Sequence, residues 1–551
     1  MVFTAPRIAV RLSLALVFAC PAAGDTHYVD GTNPACPGHG TQTDPFCEIQ
    51  RALDVAQSGD MVIVAAGIYA ESLDFRGHDV LVVAPGGAAN TVVDAGGQAT
   101  VVSFVAGEGP GAVLDGFTLT GGQATYGGGI RIVGASPTIR NCQVLGNRAD
   151  QRGGGLSLRN GGNPQIVRCD FKHNLAATGA GGGLYLDGSS ALLEDCELVG
   201  NQAAGRGGGI YAENQAAPVI ANTLLRGNRA GLDGGAFCLN GGQATLRNCE
   251  LLENTAVGDG GGIHAHNGGT LTVEHSLVAL GEAELGNGGG ICLTSSSGTF
   301  THVTVADNLA GTNGGGLLGK NSAQAAILNS IFWGNGPGEI VPGNGTFTVS
   351  YTDVEGGWAG AGNMGLNPLF WDRTIGDYHL GFGSPCIDAG DPASPPDDDG
   401  SLPDLGAYPF DPDHDGACGW YRYCSSSPNS VGFGAVIDFT GSISVSNNDL
   451  TLMAAVVPSN NWGKFFYSAS QIQAPLGDGF LCAGAPQFRL PTVNSGPAGN
   501  ALYALDISAP FQSAGTIVPG SNWNFQYWYR DPLGLLSSHN LSDALSITFC
   551  P

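Results

Sequence analysis

Positive charge is scarce in this chain. Only 21 residues are Lys or Arg against 47 Asp or Glu, giving a formal net charge of −26 over 551 residues, and the basic side chains are scattered singly. A surface that holds nucleic acid or an anionic membrane gathers its basic residues on one face, so neither partner is expected. Long apolar runs are missing after the first two dozen residues, so no transmembrane segment is expected in the mature chain. No stretch carries ten or more residues of 3.6-period apolar pattern, which excludes a helical solenoid. Charged residues make up only 12% and glycines number 90, a composition that would mean low complexity if it had no order.

It has order. Glycine triplets or near copies begin at Gly127, Gly153, Gly181, Gly207, Gly234, Gly260, Gly288 and Gly314, 26 to 28 residues apart. Asn147, Asn174, Asn201, Asn228, Asn254, Asn308 and Asn335 recur in step with them, with Gly281 in the one vacant slot. A period of this size marks a solenoid. Its columns tell which kind. Ile139, Ile166, Leu193, Ile220, Leu246, Val273, Phe300 and Ile327 form one apolar column, and Val144, Phe171, Leu198, Leu225, Leu251, Val278, Val305 and Phe332 another. A third follows the glycines, from Ile130 through Leu156, Leu184, Ile210, Phe237, Ile263 and Ile291 to Leu317, and there apolar and variable positions alternate with period two. That alternation means strands, joined by glycine-bearing turns.

Stacked Asn amides at an inward turn hydrogen-bond one another and the backbone, so the asparagine column is a structural ladder. Cys142, Cys169, Cys196 and Cys249, interrupted by Thr223, form a further column. Free cysteine packs as a small apolar residue, and one residue per coil gives a line of thiols rather than converging metal ligands.

The GGG-[IL] and C-x-x-x-x-N repeats resemble the right-handed parallel β-helix family, the pectin-lyase-like fold, and in particular its variant in polymorphic outer-membrane protein repeats. The resemblance implies an all-β chain: a right-handed parallel β-helix solenoid over residues 25–410, followed by a smaller C-terminal β-sandwich. It implies little about activity, since that scaffold carries lyases, hydrolases, adhesins and proteins without known chemistry.

Arg7 and Arg11, the apolar run Leu12 to Ala19, and Ala22, Ala23 and Gly24 read as a signal peptide over residues 1–24. The expected destination is outside a bacterial cell, secreted or at its surface; Cys20 fits a lipoprotein cleavage site poorly because of Phe18. The phrases from Tyr28 to Tyr69 resemble the N-terminal module of secreted β-helix proteins, with a helix near Ile49 to Gln57 covering the open end. Cys36 and Cys47 are expected to form a disulfide. Phrases such as Asn367-Pro-Leu-Phe370 and Gly383-Ser-Pro-Cys-Ile-Asp-Ala-Gly390 resemble the solenoid's exit. Residues 411–424 read as an acidic linker, and 425–551 as the sandwich, with strands at Ser442–Ser446, Leu450–Leu452 and Trp523–Tyr529. Cys418 with Cys424 and Cys482 with Cys550 are plausible disulfides.

Chemistry is sought on the outward columns beside the glycine-led strands, where neighbouring coils bring side chains together about 4.8 Å apart. One column reads Arg131, Ser157, Tyr185, Tyr211, Cys238, His264, Cys292, Leu318; the next reads Val133, Arg159, Asp187, Glu213, Asn240, His266, Thr294, Lys320; Arg152, Arg206, Asp233 and Asp259 precede the glycines. Asp187, Glu213, His264, His266 and Arg159 are the candidate catalytic residues, with Asp187 and Glu213 spaced for a retaining carboxylate pair. Tyr185, Tyr211, Arg206, Asp233 and Asp259 are candidate binding residues, the tyrosines as stacking surfaces for sugar rings. A plain solvated face would tolerate the same residues. No D-x-D pair or R-x-P-x-x-R run of the pectate-lyase kind stands at the matching place, so a monomeric binding, adhesion or spacer module facing a polysaccharide or other cell-surface component is favoured over a polysaccharide lyase or glycoside hydrolase.

Asp411, Asp413, Asp415 and Gly416 have the D-x-D-x-D-G spacing of a calcium loop, although its closing carboxylate is replaced by Arg422. Seven aspartates lie between Asp397 and Asp415, and their mutual repulsion calls for a cation. Calcium is therefore expected to raise the melting temperature by binding the folded form, and Asp411→Ala with Asp413→Ala to remove the increase. Identical melting in calcium and in chelator would leave a solvated linker.

Overall fold

The computed structural model describes residues 24–550 apart from 382, 398, 412–418, 425, 432–433, 509–514 and 535–536. The signal peptide, Cys20, Asp413, Asp415, Gly416 and Cys418 lie outside the described residues. The chain divides into two compact units: residues up to 366 with 388–407, and residues 367–387 with 408 onward.

The first unit is a right-handed parallel β-helix. It has three parallel sheets: one of 21 strands to which most coils contribute two, one of 11 that includes the strands after the glycines, and one of 8 short strands between Gln123 and Ala310. The three apolar columns pair residue on residue. Ile166 lies between Ile139 and Leu193, Phe171 between Val144 and Leu198, and Phe237 between Ile210 and Ile263. Their side chains fill one continuous core from which water is excluded, and this burial drives the fold. At the N-terminal end the helix Ile49–Val55 puts Ile49, Ala52 and Leu53 into that core. The Cys36–Cys47 disulfide is formed.

The glycine triplets are required by the backbone. The first of each adopts positive φ, 70° at Gly153 and 65° at Gly207. At the second there is no room, because a Cβ on Gly154 would sit 2.5 Å from the carbonyl oxygen of Gly182 in the next coil. Neither site accepts a side chain without strain.

The asparagines form the ladder. The backbone N–H and Nδ2 of Asn174 both donate to Oδ1 of Asn201, at 3.0 Å each, and Asn201 repeats this on Asn228. Each Nδ2 also donates to a backbone carbonyl, as Asn201 does to Phe171 at 2.8 Å. Gly281 continues the chain with its N–H alone, which donates to Asn308. The last rung, Asn335, donates to the carboxylate of Glu339. Cys142, Cys169, Cys196 and Cys249 are buried thiols, each donating weakly to backbone carbonyls.

One column escapes the pattern seen in the sequence. Asn141, Arg168, Asp195, Asn222, Asn248, His275, His302 and Asn329 all take positive φ between 45° and 55°, turning the corner of each coil just ahead of the cysteine column. Asn and Asp tolerate this region best; His275 and His302 instead stack flat at 4.7 Å. Residues 388–407 return to the solenoid, where Asn329 bonds Asp391 and Ser394 and Ala407 donates to Thr304.

The second unit is antiparallel. A five-stranded sheet orders Gly419–Tyr423, His539–Thr548, Asn522–Arg530, Trp462–Ser468 and Phe488–Asn494. A three-stranded sheet of Val436–Thr440, Thr451–Ala455 and Ala501–Ala504 shares its core, Ile437 and Leu452 packing with Phe465, Phe525 and Leu545. Its first strand thus begins within the stretch read as linker, and residues 367–387, read as solenoid exit, group with it. Ser442–Ser446 makes only an isolated bridge, Ser444 to Cys550. The expected cysteine pairing is also corrected: Cys482, on the strand Gly479–Ala483, is bonded to Cys424, which follows the strand Gly419–Tyr423.

Replacing Phe237 or Ile263 by Ala is expected to cost about 2–5 kcal/mol, as for other fully buried large apolar residues. Asn201→Leu strands both donors of Asn174, at roughly 1–3 kcal/mol per unsatisfied group. Urea unfolding followed by circular dichroism measures both; a loss below half a unit at all three positions would put the columns out of register.

Candidate functional site

The glycine-led strands Leu184–Asp187, Ile210–Glu213, Phe237–Asn240, Ile263–His266, Ile291–Thr294 and Leu317–Lys320 lie side by side in perfect register. Their first and third residues enter the core, so the second and fourth face outward. The outward columns are therefore those read from the sequence. From Ser157 onward the first of them is buried, and the second is half-buried apart from the buried His266. Tyr185 is 1% exposed, Tyr211 4%, Cys238 0% and His264 5%. The cause is the glycine turn of the same coil, which folds back over the second residue: a Cβ on Gly207 would lie 2.8 Å from that of Tyr211, and one on Gly260 2.8 Å from that of His264. Tyr185 and Tyr211 are consequently packed with Ala180 and Cys238, their rings stacked at 6.1 Å, and they offer no face to a sugar ring.

Under this cover the ionisable residues form a lane of mutual contacts spanning the middle coils. Glu213 is its first centre. Its Oε1 meets Arg152 and the Tyr185 hydroxyl, and its Oε2 accepts from the Tyr211 hydroxyl at 3.0 Å. The Asn240 amide donates to the Tyr211 oxygen at 3.0 Å, and the Arg152 guanidinium lies 4.9 Å from the Tyr185 ring centre. Burial and the Glu213 carboxylate push both phenols well above their ordinary range, so they stay protonated and donate.

The other carboxylates are matched in the same way. Asp187 lies 3.7 Å from Arg159 and accepts from Asn214 at 2.8 Å. Although Asp187 and Glu213 are register partners, their carboxylates thus serve different cations, which is not how an acid and its nucleophile share one bond. Asp233 pairs with Arg206 at 2.8 Å and accepts from the Asp259 N–H. Asp259 holds the Lys320 ammonium at 2.7 Å, two coils away, and accepts from Asn287. Burial alone would raise the Asp259 carboxyl, but the Lys320 and Asn287 bonds outweigh it and bring it below the ordinary range.

The histidines occupy the lane's core. His264 and His266 stack at 4.9 Å. Burial lowers His264 to about 4, and His266 is lowered for the same reason, so both imidazoles are neutral near pH 7. Buried between thiols, His264 has Cys238 and Cys292 as register partners on its two sides; burial pushes Cys292 up to about 12 and Cys238 likewise upward. Sequence reasoning brought Arg152, Arg159, Asp187, Arg206, Asp233, Asp259, His264 and His266 correctly to one face. It missed Asn214 and Asn287, turn residues whose only signal is their place after and before a strand. Of the calcium candidates only Asp411 is described, and it is exposed.

These features define a right-handed β-helix with a covered polar lane. Residues 105–278 match the family model of the right handed beta helix region. No curated protein matches the sequence. Among solved structures, pectate lyase Pel9A is similar at 16% identity, over 71% of this chain and 97% of that one, with a TM-score of 0.40. XylC in complex with xylose is similar at 9% identity over 63% and 87%, TM-score 0.31, and the enzymatically active domain of bacteriophage CBA120 tailspike protein 2 at 11% over 90% and 76%, TM-score 0.27. Likenesses of this size carry no argument about chemistry.

Glu213→Gln removes the charge that Arg152 and two tyrosine hydroxyls share, and is expected to destabilise by about 1–3 kcal/mol in urea unfolding. A change within error would mean that water satisfies those groups.

Proposed function

We propose that this chain is an exported, non-catalytic β-helix that serves as a rigid extracellular binding or spacer module facing polysaccharide or another cell-surface component. The observation that carries the reading is the state of the four candidate carboxylates. Asp187, Glu213, Asp233 and Asp259 each have a cation drawn from one or two coils away. General acid and base catalysis needs a group free to reach the substrate's proton; a carboxylate held by the scaffold's own donors and cations is read here as structural. Export is supported by the two disulfides; no helix of the described residues is long and apolar enough to cross a membrane. Ring stacking on sugar passes in this reading from the covered tyrosines to exposed aromatics of the C-terminal unit, Trp420 and Trp462, at 49% and 55% exposure.

The competing reading, a polysaccharide lyase or glycoside hydrolase, predicts product. Purified protein incubated with anionic and neutral polysaccharides, with and without calcium, is expected to release neither unsaturated sugars nor reducing ends, and to be retained by at least one insoluble polysaccharide or cell-wall fraction. Product that disappears in Asp187→Asn or Glu213→Gln would establish the enzyme instead.

A further inference from the structure

The ion pairs of the lane leave one group of side chains unused. Cys238 stands on Phe237–Asn240, and His264 and His266 on the neighbouring strand Ile263–His266, with Cys238 and His264 directly paired. A ligand atom from each, the sulfur and one ring nitrogen per histidine, lies within 4.8 Å of the other two. All three residues are at least nine-tenths buried. Buried polar atoms are partnered as a rule, yet Nδ1 of His264 and Nε2 of His266 have no hydrogen-bond partner. The other nitrogen of His264, Nε2, lies 3.1 Å from the Thr294 hydroxyl; in the tautomer that donates to this oxygen, Nδ1 presents a bare lone pair. Two unused buried imidazole nitrogens beside a thiol are what a metal site looks like without its metal's bonds counted.

We propose that Cys238, His264 and His266 bind a divalent transition metal of the zinc type. Thiolate and imidazole donors select zinc or cobalt over calcium, which takes oxygen. In a tetrahedral site such donors stand about 3.4–3.6 Å apart, so small side-chain rotations close the triad. Cys238 binds as thiolate, its proton passing to solvent as the metal enters. The fourth position falls to water, since the Asp233 carboxylate, 3.8 Å from Nδ1 of His264, is already held by Arg206 and the Asp259 N–H. A second triad, Asp259 with His264 and Cys292, is equally close, but Asp259 is already committed to Lys320 and Asn287. The unpartnered nitrogens favour the first. This inference is independent of whether the chain binds glycan.

The full chain, stripped with chelator and then titrated with Co²⁺, is expected to take up one equivalent with a thiolate-to-cobalt charge-transfer absorption that Zn²⁺ abolishes by displacement. Cys238→Ser should eliminate that absorption and His266→Gln should weaken uptake at least tenfold, whereas Cys292→Ser should leave both intact, with circular dichroism confirming that each variant is folded. Failure of the wild-type chain to bind Co²⁺ or Zn²⁺ overturns the proposal whatever the variants do. So does a charge-transfer absorption that survives Cys238→Ser or is lost in folded Cys292→Ser.

Discussion

Parallel stacking in strict register governs this molecule. Each residue of a coil lies directly over its counterpart in the coil before, one strand spacing away, and must be compatible with a near copy of itself. Apolar residues meet the condition by packing, as Ile166 does between Ile139 and Leu193. Asparagine meets it because its amide is both donor and acceptor, so identical neighbours satisfy each other. Like charges fail it. Where the lane does stack them, as Asp187 on Glu213, cations from other coils offset the repulsion, and its contacts reach 61 residues along the chain, as between Lys320 and Asp259.

The same constraint decided what the sequence made legible. A column repeated eight times is a strong signal, and the strands, glycine turns and Asn ladder could be read from it directly. Covering was not legible. The residues facing away from the core were expected to meet solvent or ligand, but the glycine turn that closes each coil lies against them, and nothing in the period reports how far a turn folds back. The positive-φ corner was hidden for a related reason: its column mixes Asn, Asp, Arg and His, so side-chain chemistry masks a common backbone state. In the sandwich there is no repeat to count, and there the strand at Ser442–Ser446 and the disulfide pairing were misread.

The candidate residues were brought together largely as expected, yet their meaning changed with burial. Tyr185 and Tyr211 turned from exposed rings into donors to Glu213. His264 and His266, weighed as acid and base, are held neutral by burial in company with a thiol. A face that looked like a place for substrate is a partly covered seam, whose carboxylates are each held by neighbouring side chains while two imidazole nitrogens beside a thiol go without a partner.

The asparagine ladder has a sense. Apart from Asn254, which faces Gly281, each amide donates one hydrogen to the Oδ1 of the next coil and the other to a carbonyl of the coil before, and the last, Asn335, ends on Glu339, whose carboxyl burial raises to about 7 with Glu355 adding to the effect. The carboxylate of Glu339 thus closes the ladder, while the strands Ile340–Val341 and Thr346–Val354 carry the parallel stacking one partial coil beyond it.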